Sequence, residues 1–257
     1  MSEFKKHWAI ILGGSSGLGL ASAKKLASEG MNICIVHRDR KRNLIKFEKE
    51  VIEMKLQGVL VKTFNKDALK ESVINEVVKE LPKQSVKLLL HSIAKGSLKT
   101  MDNSQSEKLS KQDLDITIHA MATSWYEWTQ SLITKEIFVD RARNIAFTSE
   151  GNSRVWPGYA AVSAAKSVLE ALMRNMAVEL APFGITTNCI QAGTTETPSF
   201  LVIPESEKLA EMAKVRNPFN RLTTPEDVAN AVYLLCKNEA DWINGSIVKV
   251  DGGESLR

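Results

Sequence analysis

The chain has 257 residues, 44% of them hydrophobic and 25% charged, with 34 basic side chains against 30 acidic. These are the proportions of an ordinary soluble globular protein and exclude disordered and fibrous classes. A net charge of +4 is too small and dispersed to imply nucleic acid, although a mildly basic surface favours an acidic macromolecular partner. The three cysteines, Cys34, Cys189 and Cys236, are odd in number, far apart and set among apolar neighbours. They read as core residues of a reduced, cytoplasmic protein with neither a disulfide frame nor a zinc site. No stretch approaches the ~18 apolar residues needed to span a membrane, and no metal site is expected.

Short β-branched runs alternate with segments of helical period, the pattern of successive βαβ units around a parallel sheet. Strands are expected near 8–12, 32–37, 59–64, 86–91, 143–148, 185–191 and 246–250. Helices are expected near 17–29, 40–56, 68–80, 106–136, 160–181 and 226–236. No linker or repeat divides the chain, so the expected fold is a single α/β domain, a doubly wound Rossmann fold with a seven-stranded parallel sheet. The main irregular region, 192–224, lies where a substrate lid belongs.

The first strand runs into Gly13-Gly14-Ser15-Ser16-Gly17-Leu18-Gly19, and a helix opens directly behind it. Glycines at 13, 17 and 19 let the backbone turn tightly and approach a pyrophosphate, whose charge the helix N-terminus favours. A tight turn without a ligand is the alternative. The second strand ends in His37-Arg38-Asp39-Arg40-Lys41-Arg42. In nicotinamide-binding folds this strand end reaches the adenosine ribose, where an acid prefers a free 2′-hydroxyl and an arginine accepts a 2′-phosphate. Four cations outweigh Asp39, so NADPH is favoured over NADH, with Arg38 as the reader. A solvated basic helix start is the bland alternative.

The segment from Thr148 and Ser149 through Tyr159 to Lys166 is the most informative. Together with the glycine loop, Asp67 after the third strand, Asn188 ahead of Ala192-Gly193, and Val250-Asp251-Gly252-Gly253, it resembles the short-chain dehydrogenase/reductase family over nearly the whole chain. That family usually places its tyrosine four residues before the lysine. Here Val162 holds that position, and valine donates no proton. Tyr159 stands seven residues before Lys166, resembling the Tyr-x6-Lys spacing of the branch that contains bacterial enoyl-acyl-carrier-protein reductases. Seven residues fall only ~20° short of two helical turns, so both side chains can share a face. His91-Ser92-Ile93-Ala94 and Gln191-Ala192-Gly193 are similar to the same branch. Leu169 to Arg174 and the segment from Asn217-Pro218 to Asp227 look most like its NADPH-using subtype.

The resemblance implies catalytic roles for Tyr159, Lys166 and Ser149. It also implies cofactor contacts from Gly13, Ser15, Ser16, Gly17, Leu18, Gly19, Arg38, Asp67, Ala68, Ser92, Ile93, Ala94, Lys166, Gly193 and Thr197. The implied activity is reduction of trans-2-enoyl thioesters of acyl carrier protein or coenzyme A with NADPH, in fatty acid biosynthesis, by a homotetramer. Departures keep alternatives open. Ser149 stands where many enoyl reductases have a second tyrosine and ordinary members have a catalytic serine. His119 replaces a catalytic asparagine, and Lys95 stands in place of an apolar residue beside the substrate. A 3-oxoacyl thioester or other carbonyl reductase, and a non-catalytic NADPH-sensing protein, are the other readings. His91 is expected to be a satisfied core histidine.

Overall fold

Hydrophobic runs of four to six residues build the centre of the sheet: Trp8–Leu12 is buried at every position, as is Val86–His91. Such runs are continuous because helices cover both faces of a parallel sheet. The structure, a computed structural model, describes residues 4–102 and 107–257. Its strands are β1 (Trp8–Leu12), β2 (Asn32–His37), β3 (Val61–Asn65), β4 (Val86–His91), β5 (Phe138–Thr148), β6 (Ile185–Ala192) and β7 (Ile247–Val250). They form one seven-stranded sheet in the order β3-β2-β1-β4-β5-β6-β7, and every pairing is parallel. Strand order reverses between β1 and β4, which opens a crevice at their carboxyl ends.

Alternation along the strands divides the core into two layers. Ile10, Leu12, Cys34 and Val36 pack beneath α3 (Glu71–Lys79), α5 (Ser124–Thr134) and α6 (Ala160–Glu179). Ile11, Ile33 and Ile35 face α1 (Gly17–Ser28), α2 (Lys41–Leu56) and α8 (Pro225–Cys236). Gly30 and Gly184 end α1 and the turn after α6 at φ +89° and +70°, the left-handed conformation that glycine adopts without cost.

Three expected elements differ. The helix expected over 106–136 begins in residues outside those described. Its described part opens at Lys111, where Ser110 and Asp113 form a reciprocal capping box. Helix α4 (Lys111–Ile118) then passes through a π-helical turn, His119–Thr123, into α5. The turn takes up one extra residue, so that each half keeps its own partners. Trp125 Nε1 donates to Asn144 Oδ1 at 2.5 Å and Trp128 Nε1 to the Ala68 carbonyl at 2.8 Å, while Thr117 Oγ1 accepts the Ser97 amide at 3.1 Å. Strand β5 starts five residues earlier than its expected 143, because Asp140 and Arg141 form a bulge, with Arg141 at φ +58°. Their polarity hid the continuation. The region 192–224 holds a helix, α7 (Ser206–Arg216), whose weak pattern buries only Ala210 and Ala213. Among the described residues no helix is long and apolar enough to cross a membrane.

Candidate active site

The loop between β1 and α1 is shaped by close backbone approaches. Gly13 lies at φ +83°, and a Cβ on it would sit 2.5 Å from the Ser92 carbonyl oxygen. A Cβ on Gly19 would sit 2.5 Å from the Gly13 carbonyl oxygen and 3.0 Å from Ser92 Oγ. Gly17, at φ +53°, faces Thr197 Cγ2 at 3.2 Å from its missing Cβ. The glycine loop, the Ser92–Ala94 segment after β4, and Thr197 after β6 are therefore brought together as expected. Ser16 is the N-cap of α1 but makes no side-chain bond to it, and no acid occupies the first turn. The positive end of the helix is thus left for an external anion, so the residues fit a pyrophosphate. Gly14 has a different reason: its missing Cβ accommodates Ile11 and Ile35. Gly193 closes the far side, where a Cβ would collide with Thr223 Oγ1 at 2.3 Å.

At the adenosine end, Arg38 Nη1 pairs with Asp67 Oδ2 at 2.9 Å, joining the ends of β2 and β3. Asp39 lies between the end of β2 and the glycine loop, bonded to Ser15. It accepts from His37 Nδ1 at 2.8 Å, and its backbone is held in both directions by the Asn65 amide group. Burial opposes its charge, but hydrogen bonds from Ser15, His37 and Asn43 hold its carboxyl below the usual range. Ala68 is buried with its carbonyl already engaged by Trp128.

At the centre, Pro157-Gly158 bends the chain into α6. Gly158 has φ +74° and no room for a Cβ, which would lie 2.7 Å from the Leu98 carbonyl oxygen. Tyr159 is the N-cap of α6, with its ring edge-on to Trp156 at 5.8 Å. Its other side lies on Gly151, where a Cβ would come within 2.3 Å of Tyr159 Cε1 and 3.3 Å of Ser149 Oγ. Ser149 and Tyr159 are thus neighbours across Gly151. Burial raises the Tyr159 phenol pKa, and the Ser149 hydroxyl works in the opposite sense. Ser149 Oγ itself is buried and makes no hydrogen bond of complete geometry.

Lys166 is 6% exposed, and its Nζ donates to the Phe147 carbonyl at 2.6 Å. Burial brings its pKa down to about 8, against the fields of Cys189 and Glu170. His91 is buried, shares a 3.0 Å hydrogen bond with Ser124 Oγ, and is pushed down to about 3 by burial and then by Lys166. It is a neutral core histidine, but it is satisfied at one ring nitrogen only, because Nδ1 is buried without a hydrogen-bond partner. His119 begins the π turn and faces its own helix, 3.3 Å from Thr123 Oγ1 and 3.6 Å from Glu127 Oε1.

Three further features were not anticipated. Gly151 gives Tyr159 its seat. Glu170 Oε1 accepts from Thr148 Oγ1 at 2.5 Å and from Asn152 Nδ2 at 2.6 Å. Arg216, the last residue of α7, donates Nη2 to both oxygens of Glu150. A sequence signal for Glu170 existed: α6 buries Val162, Ala165, Leu169 and Met173, and Lys166 and Glu170 fall on the same stripe. Two charged residues one turn apart within an apolar stripe mark groups that must find partners inside the fold. Beside Tyr159 opens a cleft of about 550 Å³ lined by Met101, Gly151, Val155, Trp156 and Ala164.

An all-parallel doubly wound sheet, a glycine cradle at its switch point and a Ser–Tyr–Lys constellation beyond β5 define the short-chain dehydrogenase/reductases. Residues 13–255 match the family model described as Enoyl-(Acyl carrier protein) reductase, and the chain belongs to that family. It is therefore an oxidoreductase of a family that uses a nicotinamide cofactor. It is 30% identical to a probable 2,4-dienoyl-CoA reductase of Bacillus subtilis over 98% of each chain. It is 25% identical to a 3-oxoacyl-[acyl-carrier-protein] reductase of Thermotoga maritima over 95% of this chain and 96% of that one. The structure of enoyl-[acyl-carrier-protein] reductase (NADH) from Aquifex aeolicus superposes with TM-score 0.82 at 25% identity, covering 99% of this chain and 98% of that one.

Proposed function

We propose that this chain reduces trans-2-enoyl thioesters with NADPH, as an enoyl-acyl-carrier-protein reductase of fatty acid biosynthesis. The proposed setting is the cytoplasm, the assembly a homotetramer, and the acyl chain carried as a thioester of acyl carrier protein or coenzyme A. The observation that carries the reading is Tyr159 at the N-cap of α6, seven residues ahead of buried Lys166 and across Gly151 from Ser149.

When bound, the nicotinamide supplies a hydride to the β-carbon of the enoyl group. The loop Gly13 to Gly19 and Thr197 would hold the pyrophosphate, Ser92 to Ala94 would lie on the nicotinamide side, Asp67 and Ala68 would meet the adenine, and Arg38 would read the adenosine ribose. The NADPH assignment rests on Arg38, whose exposed side chain reaches the ends of β2 and β3, and on Arg40, Lys41 and Arg42 behind it. Lys166 has three N–H donors and spends one on Phe147, leaving two for ribose hydroxyls. As negative charge develops on the thioester oxygen, the Tyr159 hydroxyl donates to it. The Lys166 ammonium adds a fixed positive field, and solvent or Tyr159 then protonates the α-carbon. The lining of the cleft, with Met101, Val155 and Trp156, suits an acyl chain.

A second reading is a carbonyl reductase. Ser149 Oγ favours it, because a buried hydroxyl without a complete hydrogen bond beside Tyr159 is a donor available to a ketone oxygen. NADPH oxidation with crotonyl, 2,4-hexadienoyl and acetoacetyl thioesters side by side separates the two. Consumption of the 3-oxo substrate alone would reject the enoyl reading. Binding of NADPH without reduction of any of the three would leave a nucleotide sensor.

A further inference from the structure

Buried carboxylates are expensive, and replacement by an apolar residue of similar volume is often neutral or stabilising. Glu170 is 7% exposed, yet it sits on the apolar stripe of α6. Its hydrogen bonds show what it does there. A single oxygen, Oε1, accepts from Thr148 Oγ1 and Asn152 Nδ2. Thr148 is the last residue of β5, and Asn152 closes the short helical turn Glu150–Asn152. Between those two anchors lie Ser149 and Gly151, the latter in contact with the Tyr159 ring. Glu170 itself is one helical turn beyond Lys166.

We infer that Glu170 is a positioning residue that fixes the segment 148–152 against α6, and thereby sets Ser149 and Tyr159 in register with Lys166. The inference rests on the reading of those three residues as the reacting groups, but its physical content is the order of one turn. Within the turn, the Ser153 and Arg154 amides and the Ser153 hydroxyl share the Glu150 carbonyl, Arg154 pairs with Glu150 at 3.6 Å, and Asn152 makes a long 3.5 Å contact to Ser149. Arg216 holds the Glu150 carboxylate from α7, so the bonds to Glu170 are what tie the two ends of the segment, Thr148 and Asn152, to α6, and without them those ends loosen. Both bonds fall on one oxygen, which separates geometry from charge: the carbonyl of a glutamine accepts the same two donors, whereas methionine of similar length accepts neither.

The test compares wild type, Glu170→Gln and Glu170→Met. Amide hydrogen exchange of the peptide covering 149–154 is measured on the cofactor-free protein, beside NADPH affinity and kcat. Assays are run at pH 6.5, below the titration of Lys166, because removing the Glu170 charge alters the field at that lysine, while His91 and Cys189 beside it stay neutral there. Glu170→Met should exchange about tenfold faster in this peptide alone. Its kcat should fall about ten- to a hundredfold, with NADPH affinity within about twofold of wild type because the loop at Gly13 to Gly19 is untouched. Glu170→Gln should restore both exchange and kcat. Unchanged exchange in Glu170→Met, or a Glu170→Gln variant as loose and slow as Glu170→Met, overturns the proposal. If Glu170→Met fails to fold, the paired change Thr148→Val with Asn152→Ala removes the same bonds from the other side and must loosen the same peptide. Should wild type reduce no thioester, the functional reading falls, while the exchange arm still decides the role of Glu170.

Discussion

Arg216 Nη2 donates to both carboxylate oxygens of Glu150, at 2.8 and 2.9 Å, and so ties the end of α7 to the residue that follows Ser149. The same guanidinium donates to the Glu254 and Arg257 carbonyls. Glu254 in turn accepts from the Thr194 hydroxyl at 2.7 Å and its amide at 3.0 Å. The segment expected to act as a lid is therefore anchored at both ends on the C-terminal turn. Arg216→Ala should speed limited proteolysis within 199–205 about tenfold and lower Tm by ~2–4 °C, the effect of about 1 kcal/mol in a domain of this size. Arg216→Lys should not rescue, because an ammonium cannot serve these partners as a planar fork does. Equal proteolysis rates in all three proteins would show that the tie is inert.

Tyr159→Phe keeps the ring on Gly151 and removes only the hydroxyl. Turnover of an enoyl thioester should fall by ~10²–10³-fold, the usual loss for one preorganised donor to a developing oxyanion, with NADPH affinity nearly intact. Ser149→Ala should be milder, since no alkoxide product needs protonation through a Ser–Tyr pair. Under the carbonyl-reductase reading the two variants are comparably damaged on acetoacetyl thioester, so their ratio on each substrate discriminates.

Gly151→Ala tests the seat itself. Gly151 has ordinary backbone angles, so the cost of alanine there is contact with the Tyr159 ring rather than strain. Displacing the phenol by ~1 Å should lower kcat about a hundredfold. Circular dichroism should show a folded protein. Wild-type kcat in this variant would mean that the ring position does not matter.

Lys166 gives opposite predictions for chemistry and stability. Its folded-state pKa of about 8 lies below the ordinary lysine value of 10.5. The unfolded chain therefore binds the extra proton between pH 8 and 10.5, stability rises with pH across that window, and the full penalty is present below pH 8. At about 1.4 kcal/mol per pKa unit the burial costs ~3 kcal/mol near neutrality. Lys166→Met should recover about 1–2 kcal/mol of that, because the Phe147 carbonyl loses its donor, and raise Tm by ~3–6 °C at pH 7. It should lose turnover at the same time. In wild type, kcat/KM should decline as pH rises through about 8, where the ammonium is lost. A pH-independent rate from 7 to 10 would remove Lys166 from the chemistry.

Arg38 should decide between cofactors. Charge-assisted hydrogen bonds to a 2′-phosphate contribute ~1.5–3 kcal/mol each, so Arg38→Ala should weaken NADPH about ten- to a hundredfold and leave NADH almost unchanged. Titration calorimetry with both cofactors checks it, and equal affinity of wild type for the two would refute the assignment.

Periodicity and punctuation made the sheet and the glycine loop readable in the sequence, because both are local: Gly13 needs its φ of +83°, and Ile33 to Val36 need two covered faces. The spacing of Tyr159 and Lys166 is local too, since Tyr159 caps the helix that carries Lys166. What escaped was long in sequence and short in space. Arg216 and Glu150 lie 66 residues apart, and Asn152 and Glu170 lie 18 apart, across a loop and about three helical turns. The π turn escaped because its residues, His119-Ala120-Met121-Ala122-Thr123, carry no breaker; tertiary demands on Thr117 at one end and Trp125 and Trp128 at the other impose it.

That turn bears on chain length between Ile118 and Ser124. A π turn is an α-helix that has taken in one residue without passing the displacement on: five residues close the arc that four close in regular winding, so the flanking halves keep their phase. Taking one residue out returns the segment to regular winding with Thr117 still facing Ser97, and Trp125 and Trp128 still facing Asn144 and Ala68. Winding all five residues regularly would instead rotate everything beyond them by about 100°. Ala120, Met121 and Ala122 are buried, so composition within the turn is constrained where its length is not. The turn works as an expansion joint: it absorbs a residue of chain while the half that serves the crevice and the half that holds up the sheet stay aligned.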